Sequence, residues 1–277
     1  MSGWATQVVS FELRKVFTYR FTFWVKYFVG AITELTVAYF LWGAIFAATA
    51  GAPDSAPGSN RLGGYTFHGL LYYTLFATLG ANVVRTLDRG GEISGEIYQG
   101  TLSRYLVYPV PYLAYRYAAY FGLQLISVGQ LLFGVSVALA LFGVPADLAI
   151  TPGSIALGIF TALLSGALSF TLTACLELVA FWQDTVWNLM AMLRFIGNLL
   201  GGLMIPISLF PEWGRSFVAF TPFPYLFSFP IRCFLGQVGG AEWFREASVL
   251  AFWILATSGA AAFIWRRGTR VYSGVGI

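Results

Sequence analysis

The sequence predicts an all-α integral membrane protein that crosses the bilayer six times. The chain of 277 residues is 58% hydrophobic and only 10% charged, whereas a soluble domain carries about 25% charged residues. Several apolar runs approach the ~20 residues that a helix needs to cross a bilayer. They do not alternate polar and apolar residues, as the strands of an outer-membrane barrel do. Helical spans are therefore favoured over a soluble fold and over a β-barrel.

Before the first span, apolar residues recur at helical spacing at Val9, Leu13 and Phe17, with charged residues on the other faces. This pattern predicts an amphipathic helix over residues 5–20 that lies in the membrane interface. The six spans are predicted at about residues 21–49, 65–84, 114–142, 153–181, 188–209 and 247–265. The whole chain, 1–277, is interpreted as one transmembrane domain.

Residues 210–236 combine several prolines with Phe, Trp and Tyr. The segment is too apolar for a free loop and too broken for one straight span. It is interpreted as a re-entrant pair of short helices that enters from the outer side and packs on protein.

The basic residues predict the orientation. Twelve of the 16 lysines and arginines fall on the side that holds both termini and the loop after the second span. The positive-inside rule therefore places this side in the cytoplasm.

The most polar segment of the chain is the loop 88–111, D-R-G-G-E-I-S-G-E-I-Y-Q-G-T-L-S-R-Y-L-V-Y-P-V-P. Glu92, Glu96 and Gly100 recur at helical spacing, which predicts a short helix over about 91–104. Pro109 then marks the turn into the third span. Charge of this density between membrane-length segments indicates a solvated surface that binds a partner.

Two carboxylates fall inside predicted spans. Glu34 lies near the middle of the first span, where a carboxylate costs about 2.5 kcal/mol or more on insertion scales. It must therefore face protein or water, either in a translocation path or subunit interface or as a hydrogen-bond partner of a neighbouring helix; both interpretations stay open. Glu177 lies near the cytoplasmic end of the fourth span, within reach of the interface, and no special role is predicted for it.

The sequence offers little catalytic chemistry. Lys15 and Lys26 are not followed by Ser or Thr, so neither completes a phosphate-binding loop. His68 is the one histidine and is interpreted as a hydrogen-bonded residue at the membrane edge rather than a metal ligand. Cys175 and Cys233 lie in apolar surroundings and are interpreted as core cysteines. No catalytic residue, metal site or cofactor is predicted on this chain, and no nucleic-acid surface.

Two stretches resemble the membrane subunits of ABC-2 type transporters with the type V exporter fold. E-I-S-G-E-I-Y-Q-G-T-L-S-R-Y-L-V-Y-P-V is similar to the family's loop after the second span, I-x-x-G-x-L-x-x-x-L-x-x-P. I-P-I-S-L-F-P-E-W-G-R-S-F-V-A-F-T-P-F-P-Y-L-F-S-F-P is similar to its segment between spans five and six. The order of the predicted elements agrees with this family along nearly the whole chain.

The resemblance implies that two permease subunits, identical or homologous, pair in the membrane, and that each binds an ATPase subunit carrying ATP and Mg. The loop after span two would form the coupling helix. The residues implied to contact the ATPase are Gly91, Glu92, Glu96, Gly100 and Arg104 in this loop, and Glu12, Arg14 and Lys15 in the N-terminal helix. Substrate would pass between the two subunits along spans one, two and five, where Glu34 and Asn198 are the candidate lining residues.

The sequence therefore predicts a permease subunit of an ATP-binding cassette exporter in a bacterial-type cytoplasmic membrane. Its aromatic content of 18% suits an apolar or amphipathic substrate, and equally a membrane interface. One alternative is a self-contained secondary transporter or channel, which would need more deep polar residues than Glu34. Another is an intramembrane enzyme acting on lipids, which would need a cluster of nucleophile, base or metal ligands.

Overall fold

The computed structural model describes residues 3–18, 20–49, 61–85, 92–145 and 148–274. These ranges are helical apart from turns and one isolated bridge, so the prediction of an all-α protein is confirmed for the described chain. In chain order the elements are α1 (Trp4–Thr18), α2 (Arg20–Thr49), α3 (Phe67–Val84), α4 (Glu92–Tyr98), α5 (Leu102–Leu106), α6 (Tyr112–Phe142), α7 (Pro152–Glu177), the 3-10 helix η1 (Leu178–Phe181), α8 (Trp187–Leu200), η2 (Ile207–Leu209), α9 (Glu212–Ala219), η3 (Phe223–Tyr225), α10 (Ser228–Phe234) and α11 (Gly240–Gly268).

Within the described ranges, four helical segments are long and apolar enough to cross a membrane. They are Phe28–Ala48, Tyr112–Phe142, Pro152–Phe181 and Gly240–Gly268. They coincide with the predicted spans one, three, four and six. α3, at the predicted second span, has 18 residues and is thus about 27 Å long, but it includes His68, Asn82, two threonines and two tyrosines that lower its hydropathy.

The predicted fifth span is shorter than expected. α8 has 14 residues, or about 21 Å, whereas the hydrocarbon core is about 30 Å thick. The helix ends at Leu200 rather than at residue 209 because two glycines follow. Gly202 adopts a φ of +80°, which favours glycine, and the N–H of Ser228 donates to the carbonyl of Gly201 at 2.9 Å.

The centre of the bundle is α3, which contacts α2, α6, α7 and α10. The ring of Phe76 stacks on that of Phe234 with 5.1 Å between the centroids. Gly158 of α7 makes room for Phe234, since a Cβ there would lie 2.3 Å from the ring. Close packing of this kind fixes α10 against both α3 and α7.

The bundle has two distinct ends. α7 begins beside α10, where the Oγ of Ser154 donates to the carbonyl of Phe234 at 3.2 Å, and it finishes beside α4 at Glu177. α11 runs the same way and packs along α7, from Glu242 beside Arg232 to Gly268 against Phe181. We call these the α10 end and the α4 end.

The predicted re-entrant segment folds as α9, η3 and α10. Every residue from Leu226 to Leu235 except Arg232 is buried, and the Oγ of Ser165 on α7 donates to the carbonyl of Tyr225 at 2.6 Å. The part from Leu226 to Leu235 therefore packs on protein, whereas Trp213, Phe217 and Phe220 of the same segment are exposed. Its re-entrant course through a membrane stays a prediction.

Candidate coupling surface at the α4 end

The single helix predicted over 91–104 is two short helices, α4 and α5, separated by a turn. The prediction treated Gly100 as part of a helical repeat, but Gly100 has a φ of +71° and lies in the turn. A positive φ is incompatible with a right-handed helix and suits glycine. Gly91 and the start of the predicted loop at 88 lie outside the described residues.

The inner face of α4 and α5 is apolar and buried. Ile93, Ile97 and Leu102 are each at most 3% exposed. They join a cluster with Phe170, Leu178 and residues around them on α7 and η1. This burial holds the two short helices against the bundle, since a seven-residue helix is marginal by itself.

A group of charges and phenols also ties α4 to α6. Arg116 of α6 forms salt bridges with Glu92, at 2.9 Å, and with Glu96. Tyr112 donates its hydroxyl proton to Glu96 as well. The side chains of Arg116 and Glu96 are each 13% exposed, that of Glu92 54%. The carboxylate of Glu96 is thus largely buried beside Arg116. That of Glu92 binds Arg116 and is also partly exposed to solvent.

Tyr105 of α5 joins this group through its ring. The guanidinium carbon of Arg116 lies 5.4 Å from the ring centroid of Tyr105, within the range of a cation–π contact. Burial and the neighbouring Glu96 carboxylate raise the pKa of Tyr105. The phenol therefore stays protonated at neutral pH and remains a hydrogen-bond donor.

Glu177 lies in a position that sequence reasoning did not anticipate. It is 2% exposed, not at the interface as expected. Its Oε2 accepts the backbone N–H groups of Ile93, at 2.6 Å, and of Ser94, at 3.2 Å. These N–H groups belong to the first turn of α4, which has no partners for them within the helix. A carboxylate at the end of an apolar span was the sequence signal for such a contact.

The end of α11 and the chain after it complete the surface. Trp265 stacks on Tyr112 with 4.9 Å between the ring centroids. Tyr272 contacts the ring of Phe181, and its hydroxyl lies 3.3 Å from that of Ser103 on α5. Three of the long helices, α6, α7 and α11, therefore converge on α4 and α5.

The side of α5 that faces away from the bundle is exposed. Ser103 and Arg104 point to the surface, and the apolar side chains that follow α5 are open too: Leu106, Val107 and Tyr108. Val107 is 83% exposed. An exposed apolar group beside an arginine at the end of a bundle has the composition of a protein interface. We call Ser103, Arg104, Leu106, Val107 and Tyr108 the outer face.

The N-terminal helix lies against α6. A Cβ at Gly122 would lie 3.2 Å from Cβ of Glu12 and 3.3 Å from Cα of Val9, so α1 crosses α6 at this glycine. Glu12 is half-buried and Arg14 is exposed; the side chain of Lys15 lies outside the described part of the chain. α1 thus packs on the same helix that supplies Arg116.

The two candidate lining residues lie on different helices. Glu34 is exposed on α2. Of the four candidate spans in the described chain, the one on α2 has the smallest buried share, 11% of its residues. Asn198 is half-buried near the end of α8, where its carbonyl accepts the N–H groups of Leu203 and Met204. Their role in a translocation path stays a prediction.

The α10 end holds a second polar arrangement. Arg232 forms salt bridges with Glu246, at 2.9 Å, and with Glu242. Beside it is a cleft of 410 Å³, whose lining includes Arg215 and Gln237. Its size falls within the range of small-molecule pockets. Two of the charged residues that line it, Arg232 and Glu246, are paired with each other.

The described residues show no group of three or more His, Cys, Asp or Glu side chains that could hold a metal ion. His68 is exposed, with its ring against that of Phe67. Cys233 is buried and Cys175 half-buried, and both are free thiols. The thiol of Cys175 donates to the carbonyl of Thr257 at 3.3 Å, in keeping with a role in packing.

A family model described as "ABC-2 family transporter protein" matches residues 32–276. The match covers both the α4–α5 element and the α9–α10 segment. No curated protein and no solved structure matches the chain.

Proposed function

Since the chain belongs to the ABC-2 transporter family, we propose that it is the permease subunit of an ATP-binding cassette exporter whose ATPase is a separate chain. ATP and Mg would be held by that partner. The observation that carries the proposal is the α4–α5 element, which is bound to α6, α7 and α11 on its inner face and exposed on its outer face.

The ATPase is proposed to dock on the outer face, with Arg104 as its main charged contact and Glu92 at its margin. Leu106 and Val107 would supply apolar contact area, since interfaces combine an apolar centre with a polar rim. Glu96 and Gly100 act on the docking surface from within, through the salt bridge to Arg116 and through the turn. Glu12, Arg14, Lys15 and Gly91 are proposed as further contacts from the family resemblance alone.

A second permease subunit, identical or homologous, is proposed to cover α2 and α8. Glu34 is exposed at a depth where a carboxylate is costly in lipid, so protein or water must face it. α8 also exposes a row of large apolar side chains: Trp187, Leu189, Met192 and Phe195. A translocation path between the two subunits would give Glu34 and Asn198 an aqueous or protein environment.

The remaining features are proposed as the sequence predicted them. The α4 end faces the cytoplasm of a bacterial-type cell, six segments cross its inner membrane, and the substrate is apolar or amphipathic and leaves the cell. ATP binding would close the ATPase pair, and the bundle would move as a rigid body.

Co-purification tests the proposal. The tagged chain is expressed with candidate ATPase subunits and extracted in detergent. We compare wild type with an Arg104→Glu/Val107→Asp variant, which reverses the charge of the outer face and makes it polar. Arg245→Glu is the matched control, because Arg245 is an exposed arginine near the α10 end.

An ATPase should co-purify with wild type and with the control, and be lost from the outer-face variant. Absence of any ATPase from wild type, under all conditions, would overturn the proposal and favour an ion-coupled transporter or channel. Equal loss from the control variant would show that the outer face is not the docking site.

A further inference from the structure

Glu177 lies at the junction of α7 and η1, where its side chain joins the end of α7 to the first turn of α4. A buried carboxylate is costly unless its oxygens accept hydrogen bonds. Here one oxygen accepts two N–H groups, from Ile93 and Ser94. The positive end of the α4 dipole adds to the attraction. The carboxylate and the first turn of α4 therefore satisfy each other.

This contact fixes the beginning of a short helix. α4 has seven residues, too few for a stable helix in isolation. Among the described residues, the first turn of α4 is held by the hydrogen bonds to Glu177, the salt bridge of Glu92 with Arg116 and the burial of Ile93. The second turn is held by apolar burial of Ile97 against η1.

The junction is also continuous with α11. η1 follows Glu177 directly and packs on α4 and on α11. At the last residue of α11, Gly268, a Cβ would lie 2.0 Å from the ring of Phe181 in η1. A displacement of α4 is thus passed to α7 and α11 through groups in direct contact, which is how packed elements move together.

We propose that Glu177 is a positioning residue that makes α4 move with α7 and α11 when the ATPase moves, so that the pull on α4 reaches both long helices. The proposal rests on the proposed function, because it needs an ATPase on the outer face. It also makes a claim about the chain alone: without the Glu177 carboxylate, the first turn of α4 separates from α7.

Two variants test this. Glu177→Gln keeps the shape of the side chain and removes its charge, and Glu177→Leu removes both acceptor oxygens. Glu246→Gln is the matched control, since it neutralises a half-buried carboxylate of the α10 end. Hydrogen–deuterium exchange is measured on the intact complex in detergent, without nucleotide and with ATP plus vanadate, alongside ATPase co-purification and hydrolysis.

We expect exchange in the α4 peptide to rise about tenfold or more in Glu177→Gln, as for loss of charge-assisted hydrogen bonds, and not in the control. In wild type, vanadate trapping should change exchange in residues 152–158 and 240–246, at the far ends of α7 and α11. In Glu177→Gln this nucleotide-dependent change should fall by half or more, while the ATPase still binds and hydrolyses ATP. A residue with only a structural role would instead alter exchange along α7 before nucleotide is added.

Retention of the nucleotide-dependent change in both Glu177 variants would overturn the inference and leave the proposed function intact. If Glu177→Leu fails to fold, Glu177→Gln decides. If no ATPase binds wild type, the proposed function fails, and exchange in α4 of the isolated chain still decides the positioning claim: unchanged exchange in Glu177→Gln would overturn it.

Discussion

The two ends of the bundle each hold one arginine between two carboxylates, yet the two arrangements do different work. They are Arg116 with Glu92 and Glu96 at the α4 end, and Arg232 with Glu242 and Glu246 at the α10 end. At the α4 end the arginine stands on a long helix and the carboxylates on a short one. At the α10 end this is reversed.

The difference lies in how far apart the partners are in the chain. Arg116 is 24 and 20 residues from its carboxylates, whereas Arg232 is 14 and 10 residues from its own. The Arg232 group fixes a turn between consecutive helices. The Arg116 group attaches α4 to α6, and Glu177 attaches α4 to α7. The same chemistry therefore stabilises a local turn at one end and joins distant segments at the other.

Neutralising the two arginines, one at a time, should give the largest difference between the two ends. Arg116→Met leaves two carboxylates near buried Glu177 without their cation. Loss of one partner of a buried pair costs about 3 kcal/mol, which corresponds to roughly 100-fold faster exchange of the α4 amides. We expect mass spectrometry to show this faster exchange in the α4 peptide, and we expect the ATPase to be lost in co-purification.

Arg232→Met is the counterpart at the α10 end. Its side chain is more exposed, at 31% against 13%, so the effect should be smaller and confined to exchange in α10 and the first turns of α11. Equal loss of α4 protection in both variants would show that the two ends are not separate.

Overpacking each end should give the next largest effect. A Cβ at Gly268 would meet the ring of Phe181 at 2.0 Å, and one at Gly158 the ring of Phe234 at 2.3 Å. Each alanine variant should lower stability by about 1–3 kcal/mol, read from thermal unfolding in detergent. Only Gly268→Ala should also speed exchange in α4, because only η1 carries the strain to α4.

Gly259→Ala is the control for this pair. It lies on α11 like Gly268, but no atom would come within 4 Å of its Cβ. The substitution should be neutral or slightly stabilising, since alanine favours a helix over glycine by about 1 kcal/mol. A loss of stability as large as that of Gly268→Ala would mean that helix α11 tolerates no change there, and that contact with Phe181 is not the cause.

The sequence predicted the long helices and the polar loop because both are local properties of composition and spacing. It missed the contacts that hold the loop. Glu177 and Ile93 are 84 residues apart, so their hydrogen bond depends on how α7 packs. Only the tertiary structure shows that Glu96 faces inward to Arg116 rather than outward.

Two misplaced boundaries had signals in the sequence. The helix predicted across Gly100 and the span predicted to continue past Gly201 both contain glycine where the chain turns. In the prediction, the helical spacing of Glu92, Glu96 and Gly100 outweighed the first of these breakers, and the apolar run of the fifth span outweighed the second. That the ATPase contacts lie in this loop stays a prediction, and the exposures of Glu92 and Glu96, 54% and 13%, were needed to distinguish between its carboxylates.

The two carboxylates of α4 offer a sharper, smaller test within one end. Glu96→Gln should weaken a largely buried pair and cost about 1–2 kcal/mol, seen as faster exchange in α4. Glu92→Gln removes a carboxylate that is half-exposed, and should cost below about 1 kcal/mol. Added salt should diminish the Glu92 effect and leave the Glu96 effect. The reverse order would mean that Glu96, not Glu92, faces solvent.

The smallest effect is expected at the α10 end, at the exposed pair of Arg215 and Glu212. Their charged atoms are 3.9 Å apart, with side chains 48% and 94% exposed, a geometry that usually contributes little to stability. Arg215→Gln should shift the thermal midpoint by less than about 1 °C, at low and at high salt. If it lowered stability as much as Arg232→Met, exposure would not be what separates strong from weak pairs at this end. The contrast between Arg116 and Arg232 would then have to rest on their positions in the chain alone.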